Sequence, residues 1–151
     1  EGFFVRESMI WLDVLEVFAR NNSNIVPILN EANNYIGYYE ITDVIKFLNE
    51  TPFLKETGGI IVVEKPTADY SMSQITQIVE SNNARILSSY ILTNSSSSKL
   101  EITLKINKLD LSSIIRTFER YDYVVKESFQ KSMDNDDLQA RFDSLMHYLK
   151  F

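Results

Sequence analysis

The chain has no cysteine. That excludes a disulfide framework, a thiolate metal site and a cysteine nucleophile, and it fits a reducing compartment. Histidine occurs once, as His147, and a lone imidazole beside Leu145, Met146 and Leu149 falls short of the three or four ligands a zinc site needs. With only four glycines, the chain shows neither a phosphate-loop nor a dinucleotide glycine pattern. No apolar run approaches the roughly 18 residues of a membrane span, and no signal-peptide pattern is present. Basic charge is also scarce: 15 Lys and Arg stand against 21 Asp and Glu, a net charge of −6. Nucleic acid and anionic membrane surfaces are therefore poor partners. Together these absences point to a cytoplasmic protein without a metal or a nucleic acid.

What is present can fold. Apolar residues make up 44% of 151 and aromatics 12%, enough core for one ordinary domain or two small ones. The chain opens Glu1-Gly2-Phe3-Phe4, and its first methionine, Met9, falls at a helix entry. It therefore reads as a piece of a longer protein.

Along the chain, Phe3 to Arg6 predicts a short strand, and Ser8 stands as a helix cap. Trp11, Val14, Leu15 and Phe18 then recur on one helical face. Asn21 to Asn24 ends that helix. Ile25–Leu29 and Tyr35–Ile41 read as strands about an Asn33-Asn34 turn, and Asp43–Leu48 reads as a short helix. Residues 51–59, with Pro52, Gly58 and Gly59, read as a linker. Ile60–Glu64 is a nearly continuous apolar strand. Ser71 and Gln74 have capping-box spacing, and Tyr70 with Ile75 forms a staple. Arg85–Thr93 is a strand, followed by a polar loop through Ser98. Leu100, Ile102, Leu104 and Ile106 alternate with Glu101, Thr103 and Lys105, giving a strand with one wet face. Asp110 caps a helix whose buried face is Leu111, Ile114, Ile115 and Phe118. Tyr123–Phe129 is the last strand. From about Asp136 a terminal amphipathic helix follows, capped by Asn135.

The predicted class is α+β. A β-α-β-β-α unit occupies residues 1–50, a ferredoxin-like βαββαβ order occupies 60–130, and a C-terminal helix occupies 134–151. Catalysis finds no support in the sequence. Ser95 to Ser98 have no histidine nearby to activate them. Asp134 to Asp137 lack the glycine and terminal glutamate of a calcium loop.

Residues 1–50 resemble a CBS motif, the cystathionine-β-synthase-type repeat. The likeness rests on the lead strand, the helix, Val26-Pro27-Ile28, and a tail of Gly37, Tyr38, Tyr39, Ile41, Thr42 and Asp43. It implies motifs working in pairs, with an adenosine nucleotide or adenosyl compound in the cleft and the matching Asp43 on the ribose hydroxyls. The implied contact set is Val5, Ile25, Val26, Pro27, Glu40, Thr42 and Asp43. Glu40 stands where the family has Ser or Thr. A carboxylate accepts hydrogen bonds but donates none, and it repels phosphate. Adenosine or a cationic adenosyl compound is therefore penalised less than ATP.

Residues 60–129 resemble an ACT domain, a ferredoxin-like regulatory fold that often binds amino acids between paired sheets. Its usual loop glycine is missing from Lys65-Pro66-Thr67-Ala68-Asp69-Tyr70, while pairing through the sheet does not need it. The two resemblances imply a non-catalytic, self-associating regulatory module, a homodimer with a possible small-molecule ligand. Two alternatives remain open: a structural or interaction module with degenerate pockets, and the regulatory tail of an enzyme whose catalytic part lies upstream.

Overall fold

The computed structural model describes residues 2–93, 96–129, 142–147 and 149. The chain is mixed α+β and divides into two compact units, Glu1–Leu54 and Lys55–Phe151.

In the first unit, β1 (Val5–Arg6) runs parallel to β2 (Ile25–Leu29), and β2 pairs antiparallel with β3 (Tyr35–Glu40). Helices α1 (Trp11–Asn21) and α2 (Ile41–Asn49) supply the rest. Strand alternation puts Val5, Val26, Ile28 and Tyr39 on one face, where they pack with Val14, Phe18 and Val44 of the helices. The β2–β3 turn is built on asparagine. The Asn30 carboxamide oxygen accepts from the Ala32 and Asn34 N–H groups at 3.0 and 2.9 Å, and the Arg6 guanidinium donates to the Asn30 carbonyl and to Asn33 Oδ1, both at 2.6 Å. Asn22, Asn33 and Asn83 all adopt positive φ. In a chain poor in glycine, asparagine takes the left-handed positions, which it tolerates better than most side chains.

Two expectations are corrected here. Ser8 does not cap α1: Ile10 holds the cap position without a side-chain bond, and the Ser8 hydroxyl donates to Glu31 at 3.0 Å. The Met9 N–H closes a turn onto the Arg6 carbonyl at 3.0 Å, which holds Ser8 two residues ahead of the cap. The expected linker also carries a short helix, α3 (Pro52–Lys55). Proline suits a first helical position because the N–H it lacks would have no intrahelical partner there.

The second unit contains β4 (Gly59–Pro66), α4 (Met72–Ser81), β5 (Ile86–Thr93), β6 (Lys99–Ile106), α5 (Ser112–Arg120) and β7 (Val124–Phe129). The sheet order is β5-β6-β4-β7, antiparallel throughout. Ile61, Val63, Ile102, Leu104 and Ile106 turn to one face, where Ile75, Ile78 and Val79 of α4 and Leu111, Ile114 and Phe118 near or on α5 complete the core. The alternation read along β6 is reproduced in its burial. On the other face Tyr90, Leu92, Val124 and Phe129 are about half exposed, and among the described residues no helix packs on them. A charged group sits among them: Lys99 pairs with Glu64 at 3.2 Å, and Lys126 pairs with Glu101 at 2.8 Å and Glu64 at 3.7 Å. The bond from Lys126 to Glu101 raises the lysine above its ordinary value.

Both expected caps act differently in detail. Ser71 Oγ accepts from the Gln74 N–H at 3.3 Å, as the box spacing predicts, but the Gln74 side chain does not return. It accepts from the Tyr123 hydroxyl at 3.0 Å, so a strand-edge tyrosine takes that place. Burial raises the Tyr123 phenol above its ordinary value, and the Ser71 backbone partly offsets this. Asp110 stands one residue outside the cap, and its Oδ1 accepts from the Ser112 N–H at 3.0 Å. The Ser112 hydroxyl first and its backbone N–H second hold the carboxyl below its ordinary value of 3.8, with Lys108 and Arg116 adding smaller shares.

A carboxyl lowered by folding contributes stability above its unfolded pKa and loses it as pH falls through the folded value. Asp110→Asn keeps an acceptor oxygen and removes the titration. The expected result is a smaller drop in melting temperature than wild type shows on going from about pH 5 to about pH 3.

Residues 142–147 and 149 are helical and exposed. The rest of the expected terminal helix, including Asn135, Asp136, Asp137 and Leu138, lies outside the described residues, as does Ser95 of the polar loop. Among the described residues no helix is long and apolar enough to cross a membrane.

Candidate functional site

The expected site lies where β3 hands over to α2. Glu40 ends the strand in an extended conformation and is the N-cap of the helix. A reciprocal capping box closes there: the Glu40 side chain accepts from the Asp43 N–H, and Asp43 Oδ2 accepts from the Glu40 N–H at 2.8 Å. The Thr42 hydroxyl adds a long bond to Glu40 Oε2 at 3.3 Å. Two carboxylates thus sit at the positive end of a helix dipole, where anionic side chains are favoured.

The seven expected contact residues separate by depth. Val5 and Val26 are fully buried on the helix-covered side of the sheet. Ile25 is half-exposed, and Pro27 is partly buried opposite Tyr38, so both lie on the sheet's other side. Glu40, Thr42 and Asp43 are exposed together at the helix start. The structure therefore brings the three polar residues into one cluster and distributes the four apolar ones over both faces of the sheet.

Asp43 also lines a cleft of about 230 Å³ with Met9, Trp11, Val14, Tyr39, Val44 and Phe47. Trp11 and Phe47 touch across it, ring centroids 5.3 Å apart and tilted by 42°. The walls are aromatic and apolar, and the one charged group in the lining is a carboxylate. Such a surface suits a flat or cationic group and disfavours an anion. Periodicity placed Trp11 and Val14 on one helical face and Phe47 among the apolar positions of the short helix from Asp43 to Leu48, without bringing Trp11 and Phe47 together; Phe47 is 47% exposed. The pairing of two aromatics 36 positions apart is a tertiary contact that local patterning does not encode.

In the second unit, a lysine near the end of β4, Lys65, is buried against the segment that leads into β7. Lys65 is only 8% exposed; its ammonium donates to the Tyr121 carbonyl and lies 4.2 Å from the centre of the Tyr123 ring. A desolvated cation–π contact and a charged hydrogen bond are each worth about 2 kcal/mol. Lys65→Ala is expected to lower unfolding free energy by about 2–3 kcal/mol, read from the urea midpoint at unchanged slope. A loss under about 0.5 kcal/mol would place Lys65 among ordinary surface residues.

Among the described residues, no group of three or more His, Cys, Asp or Glu side chains is placed to hold a metal ion. Compared with protein-family models and with curated proteins, the chain shows no significant match.

Proposed function

We propose that the chain is a non-catalytic, cytoplasmic regulatory module that works as an assembled pair, with a CBS-like first unit and an ACT-like, ferredoxin-like second unit. The parallel β1–β2 pair, the β2–β3 hairpin and the following helix support the first likeness. The β5-β6-β4-β7 order with both helices on one side supports the second. Fold likeness alone names no function, so the reading rests on surface chemistry.

The observation that carries it is the uncovered face of the first sheet. Ile25, Pro27, Leu29, Tyr35 and Tyr38 share that side by register, and Ile25, Tyr35 and Tyr38 are 50%, 62% and 52% exposed. A unit this small has little core to spare, and a contiguous apolar patch marks an interaction surface. A second copy presenting the same face would bury it under two-fold symmetry. Light scattering is expected to give twice the chain mass, and Tyr38→Lys to give the single mass. A wild-type monomer at high concentration would sink the assembly.

An adenosine-type ligand at the start of α2 is the second part of the proposal. Asp43 commits Oδ2 to the capping box and lines the cleft, leaving Oδ1 for a ribose-like hydroxyl pair. Thermal shift should show saturable stabilisation by adenosine or a cationic adenosyl compound and less by AMP or ATP. A ligand at about 100 times its Kd adds roughly 2.7 kcal/mol. Asp43→Asn keeps the capping acceptor and is expected to abolish that gain.

The capping box itself favours a second reading, because it accounts for Glu40, Thr42 and Asp43 without any ligand. A flat screen in a chain that still dimerises would assign an interaction module with degenerate pockets.

A further inference from the structure

The second unit carries a groove of about 610 Å³ on its helical side, lined by Asn82, Ser113, Arg116, Thr117, Glu119 and Arg120. Its floor is built rather than incidental. Thr117 is 7% exposed, and its hydroxyl donates to the Ser113 carbonyl at 2.8 Å and accepts from Asn82 Nδ2 at 3.2 Å. Asn82 Nδ2 also donates to the Ile78 carbonyl at 2.7 Å, and the Asn82 carbonyl accepts from Lys108 Nζ at 3.1 Å. This network ties the end of α4 to the middle of α5 and fixes the shape of the groove.

Two guanidiniums stand over that floor, one helical turn apart. Arg120 makes one long bond, to Thr117 Oγ1 at 3.4 Å. Arg116 has Asp110 as an electrostatic neighbour and no hydrogen bond or ion pair to a described residue. The chain holds 21 carboxylates against 15 basic residues, so two arginines in one groove that pair with no carboxylate among the described residues stand out. Side chains at i and i+4 lie about 6 Å apart. That spacing lets two planar forks grip different oxygens of one phosphate or of a diphosphate.

We propose that this groove binds the phosphate moiety of a small phosphorylated ligand, with Arg116 and Arg120 as the anion clamp. Asn82 and Ser113 lie beside the clamp for the neutral part of the ligand. Glu119 on the rim and the chain's negative charge disfavour long polyanions. The site is separate from Asp43 and independent of the adenosine reading.

The test is calorimetric titration of the whole chain with inorganic pyrophosphate and, separately, orthophosphate, at ionic strength held constant with chloride. Saturable binding is expected, at least tenfold weaker in Arg116→Gln/Arg120→Gln and unchanged in Arg85→Gln. Arg116→Lys keeps the charge and loses the fork, and it is expected to fall between. Absence of saturable heat in wild type, or equal affinity in the double variant, overturns the proposal. Melting of each variant without phosphate separates a lost site from a lost fold.

Discussion

Phe118→Ala is expected to remove about 3–5 kcal/mol of unfolding free energy from the second unit. Phe118 is fully buried, at the centre of the cluster that joins α5 to the sheet. Truncation removes the transfer energy of the ring and leaves a cavity that the strands β4 and β6 cannot collapse to fill. A second loss is specific to this site. Phe118 meets the Tyr123 ring edge-on, centroids 5.3 Å apart at 75°, a geometry worth about 0.5–1.5 kcal/mol beyond burial. Tyr123 in turn bonds Gln74 at the start of α4 and carries Lys65 on its face. Removing Phe118 loosens a ring that holds three elements together, so the loss belongs at the upper end of the range.

Against a typical domain stability of about 5–15 kcal/mol, that is a third or more of the total. Denaturant unfolding followed by circular dichroism reads it directly. Phe129→Ala is the control. Phe129 is half-exposed on the open face, and its truncation should cost under about 1 kcal/mol in the monomer. If the open face is an interface, the same variant weakens the dimer and makes melting depend on concentration. A Phe118→Ala chain within about 1 kcal/mol of wild type would mean that α5 is not docked as described.

The elements legible in the sequence were those that a single segment specifies. The alternation from Leu100 to Ile106 needs no distant partner to be read, and neither does the spacing of Leu111, Ile114 and Phe118 at the start of and along α5. Details that depend on distant atoms were not legible. Ser8 has the right chemistry for a cap, but the turn from Arg6 to Met9 carries it past the position. Gln74 has the right spacing for a box, but Tyr123, 49 residues on, takes the bond. The candidate site shows the same division. Glu40, Thr42 and Asp43 stand within four residues of one another in the expected contact set, but local spacing did not show the capping box that Glu40 and Asp43 close. Trp11 and Phe47, which wall the cleft beside them, meet only once both helices have packed on the sheet.

The Gly58-Gly59 pair makes the point most sharply, and it sets the other large expected effect. In sequence the two glycines look like slack in a linker. In the structure both are buried, and Gly59 opens β4 opposite Ile106 with its N–H on the Lys108 carbonyl at 3.0 Å. A Cβ added at Gly58 would overlap the Ile106 carbonyl oxygen and stand 2.9 Å from its carbon. The obstacle is backbone at the end of a central strand, so no side chain can rotate away. The alternatives are to displace β6, which carries the buried Leu100-to-Ile106 row, or to peel off the start of β4. Overpacking in a closed core costs about 1–3 kcal/mol, occasionally more, and a backbone collision belongs at or beyond the top of that range. At Gly59 the added atom meets Leu111 instead, at 2.6 Å from Cδ1. A side chain can yield, so Gly59→Ala should be milder than Gly58→Ala, and Gly2→Ala, with nothing within 4 Å, should be silent. Amide exchange gives the sharper readout, because Gly58→Ala should deprotect the β4–β6 ladder near Ile106 before it affects β5. A Gly58→Ala chain with wild-type melting and exchange would show that β4 enters the sheet along a different path.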